Sequence, residues 1–135
     1  MKIDKNERGE PPEIIRSVGF DFHWSEEKVW QLDLPVEDMR VDQLLWHLDF
    51  PFWRDESGKQ YSVSPKQVLQ HPGMYTGQYK RITEANLQYP LDVMWWRDRW
   101  VLLDGLHRFT KTILNGAVSV KIRKVPIEAI PEIRV

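Results

Sequence analysis

The residues best suited to chemistry lie in one run, Trp100-Val101-Leu102-Leu103-Asp104-Gly105-Leu106-His107-Arg108. An apolar strand enters a glycine, and a helix begins at once with two basic side chains in its first turn. The first amides of a helix lack intrahelical acceptors and sit at the positive end of its dipole, so the pattern outlines an anion site. Gly105 lets a ligand approach the backbone closely. Arg108 is able to grip a phosphate bidentately and His107 to donate a hydrogen bond or a charge, while Asp104 would orient the basic pair or a metal. Lys111 follows His107 by four residues and shares its helix face. The alternative is that Asp104 is itself the anion. Cations at a helix start oppose the dipole, and an aspartate acting as cap and partner would offset them.

The run LDGLHRFTKTILNG, followed by VSVKIRKVP, resembles the glycine–x–His–Arg segment of the ParB/sulfiredoxin superfamily. Upstream, YPLDVMWWRDRWVLLDG is similar to the hairpin that precedes this loop in the superfamily, and the likeness spans about residues 28–126. It implies a nucleotide-phosphate pocket made by strand, loop, helix and a further strand, with Asp104, Gly105, Leu106, His107, Arg108 and Lys111 at the ligand. Sulfiredoxin carries a cysteine where this chain has Leu106, so reduction of a sulfinic acid is not available. Chromosome-segregation ParB proteins bind CTP at a Gly-Glu-Arg-Arg loop, and Leu106-His107-Arg108 replaces its last three residues. An ADP-dependent kinase of free serine has an Asp-Gly-x-His-Arg loop, the nearest match to Asp104–Arg108. That kinase needs a carboxylate base after its first strand, which by position implies Asp42, with Asp49 second. The expected ligand is therefore ADP, ATP or CTP, accompanied by Mg²⁺. The expected reaction, if there is one, is phosphoryl transfer or nucleotide hydrolysis, where positioning and charge neutralisation do most of the catalysis. The alternative is a non-catalytic, DNA-associated or regulatory protein-interaction module.

Other candidates have plainer readings. His23, His47, His71 and His107 share no spacing typical of metal ligands, so no preformed metal site is expected. His47, between Trp46 and Leu48, reads as a hydrogen-bonded structural histidine, and Asp49 as the partner of a base. Trp46, Phe50, Phe52 and Trp53 would fill a core, seal a homodimer contact or stack a nucleobase. Adjacent Trp95 and Trp96 must point to opposite faces of a strand.

The elements that would position these residues can be read along the chain. Residues 1–27 read as a tail, loosely held to residue 13, and an extended arm bearing Phe20, Phe22 and Trp24; residues 28–135 read as the domain. Lys28–Leu34 reads as a first core strand, from the parity of Trp30, Leu32 and Leu34. Val41, Leu44, Leu45 and Leu48 predict a helix over at least Asp42–Leu48. Ser64-Pro65 opens a short helix that His71-Pro72-Gly73 stops, and Met74–Leu87 is helical in part. Leu91–Trp96 and Arg99–Leu103 predict a hairpin about Arg97-Asp98. Leu106–Leu114 then forms a helix closed by Asn115-Gly116, and Val118–Ile122 a last strand. The fold class is α+β, a small mixed sheet with packed helices.

Composition sets the outer limits. The chain has 135 residues, a net charge of -1 and no cysteine, which excludes disulfides, thiolate zinc sites and thiol nucleophiles. The near-neutral total opposes a role coating nucleic acid or an anionic membrane. Yet residues 105–135 carry six Lys/Arg against two acids, so the charge is basic where the anion site is expected. No apolar run is long enough to span a bilayer and the amino terminus lacks a signal-peptide segment, so a cytoplasmic protein is expected. Seven tryptophans are a large number for such a chain.

Overall fold

The computed structural model describes residues 11–135, so most of the expected tail, residues 1–10, lies outside the described residues. Four strands, β1 (Glu37–Arg40), β2 (Leu91–Trp96), β3 (Arg99–Asp104) and β4 (Ser119–Lys124), form one mixed sheet in the order β1-β4-β2-β3. β4 pairs antiparallel with β1 and parallel with β2, and β2 pairs antiparallel with β3. The helices are α1 (Glu13–Arg16), α2 (Glu26–Trp30), α3 (Pro65–Gln70), α4 (Thr76–Glu84), α5 (Leu106–Leu114) and α6 (Ile130–Ile133). The small α+β class expected from the sequence is what the chain adopts.

Residues Leu91 to Met94 of β2 are all buried, because the sheet is covered on both faces. One face carries Val29, Met94, Leu103, Val125, Ala129 and Ile133, with Phe20, Phe22 and Trp24 of the arm packed on them. The other carries Leu44, Leu91, Val93, Phe109 and Ile122. A third cluster, Trp53, Val63, Val68 and Ile82, joins α3 and α4 to the loop between them and the sheet. Burial of this kind contributes about 25 cal/mol for each Å² of apolar surface removed from water.

Three expected elements differ from those observed. The stretch read as tail and extended arm opens on a helical turn, α1, whose Glu13 and Arg16 pair at 3.1 Å. Lys28–Leu34 is not a strand: Ser25 caps α2, its hydroxyl accepting from the Lys28 amide, with Glu26 and Glu27 in the first turn. Those local signals outweigh the alternation of Trp30, Leu32 and Leu34. The first strand is β1, a few residues later. The helix expected over Asp42–Leu48 is instead two 3₁₀ turns, Val41–Gln43 and Leu45–Asp49, joined at Leu44, which is fully buried. An i, i+3 apolar spacing serves a 3₁₀ turn as well as an α-helix.

The hairpin forms as expected. Arg97 and Asp98 both take positive φ, 48° and 70°, the turn geometry that suits the twist of two strands. Trp96 enters the aromatic cluster of the arm and donates to the Gly19 carbonyl at 3.2 Å, whereas Trp95 is 51 % exposed. The free edge of β3 is closed by aromatic side chains. Trp46 Nε1 donates to the Trp100 carbonyl at 3.0 Å, Trp24 Nε1 to the Leu103 carbonyl at 2.9 Å, and the Leu102 amide donates to His47 Nε2 at 3.1 Å. An open edge invites pairing with another chain, and these rings occupy it. Among the described residues, no helix is long and apolar enough to cross a membrane.

Candidate functional site

β3 ends at Asp104, Gly105 turns the chain, and α5 starts. Gly105 has φ 107°, a conformation that disfavours any side chain. A Cβ there would lie 2.7 Å from Leu91 Cδ2 and 2.9 Å from an Arg108 guanidinium nitrogen, so the glycine is required by contact as well as by torsion. No side chain caps α5. Among the described residues, the amides of Leu106, His107 and Arg108 have no acceptor, and the Phe109 amide is the first to find one, the Gly105 carbonyl at 2.8 Å.

A cavity of about 400 Å³ opens at this helix start. α5 and its approach supply Asp104, Gly105, Leu106, His107 and Arg108, while the end of α4 supplies Arg81, Glu84, Ala85 and Asn86. The expected anion loop therefore lines a cavity, and a second helix completes it. Lys111 stands apart: its Nζ donates to the Ala85 carbonyl at 2.8 Å and ties α5 to the end of α4.

Asp104 is the partner of Arg108 that the alternative reading of the loop expected, but not the cap, since its side chain makes no bond to the first amides of α5. Its Oδ2 accepts from Arg108 at 3.1 Å and from Trp30 Nε1 at 2.8 Å. The carboxylate of a residue just before the helix thus balances the cation that the dipole disfavours. The same arginine nitrogen reaches the Pro90 carbonyl at 3.4 Å, and Arg108 Nε is buried with no partner among the described residues. A buried donor left without an acceptor is costly, and buried polar groups are nearly always satisfied.

His107 lies flat against Trp53, ring centroids 4.2 Å apart and planes 10° from parallel. Its Nε2 meets Gln78 Oε1 at 2.8 Å, and Gln78 donates its amide to the Arg54 carbonyl at 3.1 Å. That second bond fixes the glutamine amide, so its oxygen must accept from His107 Nε2–H and the Nδ1 of the neutral ring is a hydrogen-bond acceptor. Burial, then the charge of Arg81, lowers the imidazole to a pKa of about 3. His107 is therefore a neutral acceptor at neutral pH, not the cation or phosphate donor that the sequence suggested. Cationic charge at the cavity comes from Arg81 and Arg108.

His47 is the plain structural histidine expected. It is 2 % exposed, donates from Nδ1 to the Leu44 carbonyl at 2.8 Å and is stacked by Trp46 at 3.8 Å. Burial foremost, with a smaller contribution from Arg99, lowers it to a pKa of about 4. The aromatic cluster of Trp46, Phe50, Phe52 and Trp53 is thereby spent on the two histidines and their surroundings.

Asp42 and Asp49, the carboxylates suggested as base, do not line the cavity. Asp42 pairs with Arg40 at 3.0 Å, and Asp49 with Lys66 at 3.8 Å; both are substantially exposed. The cavity carboxylates are Glu84 and Asp104. Among the described residues no three His, Asp or Glu converge as a metal site. A nucleotide-borne Mg²⁺ needs only one or two carboxylates beside the phosphates, and with Asp104 engaged, Glu84 is the side chain that fits that need.

Several of these residues were open to sequence reasoning but not found by it. Gln78 and Arg81 fall three residues apart on α4, where Gln78 meets His107 of α5, and the Ala85 carbonyl just past the helix takes Lys111. The basic carboxyl-terminal segment is a different matter, because four of its six cations are matched by acids in space. Arg108 pairs with Asp104, Lys121 with Asp38 at 2.8 Å, Arg123 with Asp92 at 2.7 Å and Lys124 with Glu37 at 3.4 Å. Compared with family models, curated proteins and solved structures, the chain has no significant match to any of them.

Proposed function

We propose that this chain is a nucleotide- or phosphate-binding domain of ParB/sulfiredoxin type, holding the anion at the start of α5. The observation that carries the reading is the uncapped helix start itself. Three backbone amides without acceptors, the Arg108 guanidinium and Arg81 border one cavity, which Gly105 also lines. Such a start is an anion site because the amides point outward and the dipole favours negative charge. In this arrangement the amides of Leu106–Arg108 take phosphate oxygens, and Arg81 and Arg108 neutralise them. His107, a neutral acceptor, receives a hydroxyl or N–H of the ligand, and Asp104 holds Arg108 in place. Any turnover at such a site is phosphoryl transfer or nucleotide hydrolysis, with Glu84 the cavity carboxylate placed to assist. Against the DNA-associated alternative stands the pairing of four of the six cations of the basic segment with acids.

Calorimetric titration with ADP, ATP, CTP and GTP, each with Mg²⁺, tests the proposal. Binding of at least one is expected, weakened roughly ten- to a hundredfold in Arg108→Ala, the usual range for a charge-assisted hydrogen bond. No heat with any of them would sink the idea.

A further inference from the structure

A second cavity, of about 610 Å³, adjoins the first at Arg108, which lines both; its other walls are Trp30, Tyr89, Pro90, Asp92 and Arg123. Its charges are already balanced. Arg123 gives Nε to Asp92 Oδ1 at 2.7 Å and its terminal nitrogens to the Leu32 and Val29 carbonyls at 2.8 and 2.9 Å, so its guanidinium is fully committed. Arg108 is matched by Asp104. Arg123 and Asp92 offset each other, so this cavity adds no net charge of its own beside Arg108.

What the cavity does offer is flat apolar surface and one acceptor. Trp30 is 56 % exposed and Tyr89 63 %, and neither ring contacts another aromatic among the described residues. The bond from Trp30 Nε1 to Asp104 holds the indole in place while more than half of it stays open. Asp92, at 2 % exposure, has no donor to its Oδ2 among the described residues. Two open rings and an unfilled carboxylate oxygen suit a flat, uncharged heterocycle that carries an N–H.

We infer that the second cavity takes the base of a nucleotide whose phosphates lie at the start of α5, stacking it on Trp30 and Tyr89 and accepting an amino N–H on Asp92. The inference rests on the phosphate reading above. Arg108, common to both cavities, lies on the route of a ligand that reaches from one to the other. A carboxylate acceptor favours bases with an exocyclic amino group: guanine, adenine and cytosine. Uracil presents its N–H between two carbonyl oxygens, which repel a carboxylate.

The test is calorimetry on the whole chain with GDP, ADP, CDP and UDP, and with pyrophosphate as a probe lacking a base, each with Mg²⁺. The amino-bearing diphosphates are expected to bind about tenfold tighter than pyrophosphate or UDP, the scale of one base–aromatic stack or one good hydrogen bond. Tyr89→Ala removes an exposed ring and should weaken those nucleotides several-fold while leaving pyrophosphate unchanged; Trp30→Ala, which also releases Asp104, should weaken the nucleotides more than it weakens pyrophosphate. Asp92→Asn should erase the preference over UDP, and if that variant fails to fold, the two ring variants decide. Nucleotides that bind no better than pyrophosphate, or that ignore both ring variants, overturn the base site and leave the phosphate site standing. Failure of pyrophosphate and every nucleotide to bind overturns both.

Discussion

Two helices in this molecule start in opposite ways. α3 begins at Ser64, whose hydroxyl accepts from the Gln67 amide at 3.2 Å while Gln67 Oε1 accepts from the Ser64 amide at 2.8 Å. Pro65 at the first position has no amide to satisfy. That start is closed by its own sequence. α5 begins at a glycine with no side chain to cap it, and places a cavity where α3 has a capping box. Two features there cost stability: open amides and a buried Arg108 Nε without a partner among the described residues. The difference teaches that one small domain can close one helix start with its own sequence and leave another facing a cavity. α4 and α5 are arranged around the open one.

Acid should separate the two starts most strongly. His107 at the open start and His47 beneath the sheet edge are held neutral, with pKa about 3 and about 4, against an ordinary value of 6.5. The unfolded chain binds these protons first, so the stability they contribute is complete above pH 6.5 and is lost as pH falls toward 4. The loss is on the order of 2–3 kcal/mol for each histidine by pH 4. Urea denaturation from pH 7 to 4 reads it as a slope approaching two protons, and His107→Ala should lower that slope by about one. A flat profile would mean that His107 is not held neutral.

Gly105→Ala comes next. The positive φ and the contact with Leu91 should cost about 2 kcal/mol or more in denaturant unfolding, and nucleotide affinity should fall with the shift of Arg108. Gly116→Ala is the matched control: its φ is also positive, at 74°, but a Cβ there meets nothing within 4 Å, so about 1 kcal/mol is expected. Equal costs at the two positions would show that the close approach at Gly105 is unimportant. The smallest effect belongs to the closed start. Ser64→Ala should cost about 1 kcal/mol of stability and leave ligand binding untouched, measured by denaturation and calorimetry in parallel.

The open start was easier to read than the elements around it. Asp104-Gly105-Leu106-His107-Arg108 follows an alternating apolar strand and precedes an apolar helical stripe, and both signals are local and strong. The hairpin, α3 with its cap and the close of α5 at Gly116 were legible for the same reason. Lys28–Leu34 misled because alternate apolar positions describe a strand only if both parities meet different surroundings. In this chain Trp30 leaves the core to hold Asp104, and Arg123 anchors the end of α2 through the Val29 and Leu32 carbonyls. Such an anchor comes from β4, some ninety residues away, and leaves no local trace. The role of His107 was out of reach for a similar reason, since its tautomer depends on Gln78 and its burial on Trp53.

The sequence by itself determined the strand–glycine–helix loop, the absence of thiol chemistry and the capped start of α3, because each follows from neighbouring residues. Tertiary structure decided what those parts face. It set α4 across from α5 to make the cavity, matched Lys121, Arg123 and Lys124 with acids on other strands, and turned His107 from a cation into a neutral acceptor. It also gave most of the tryptophans their work, closing the β3 edge with Trp24 and Trp46, stacking Trp53 on His107 and leaving Trp30 open beside Asp92. Charge state, pairing and access depend on burial and on partners remote in the chain, and those are properties of packing.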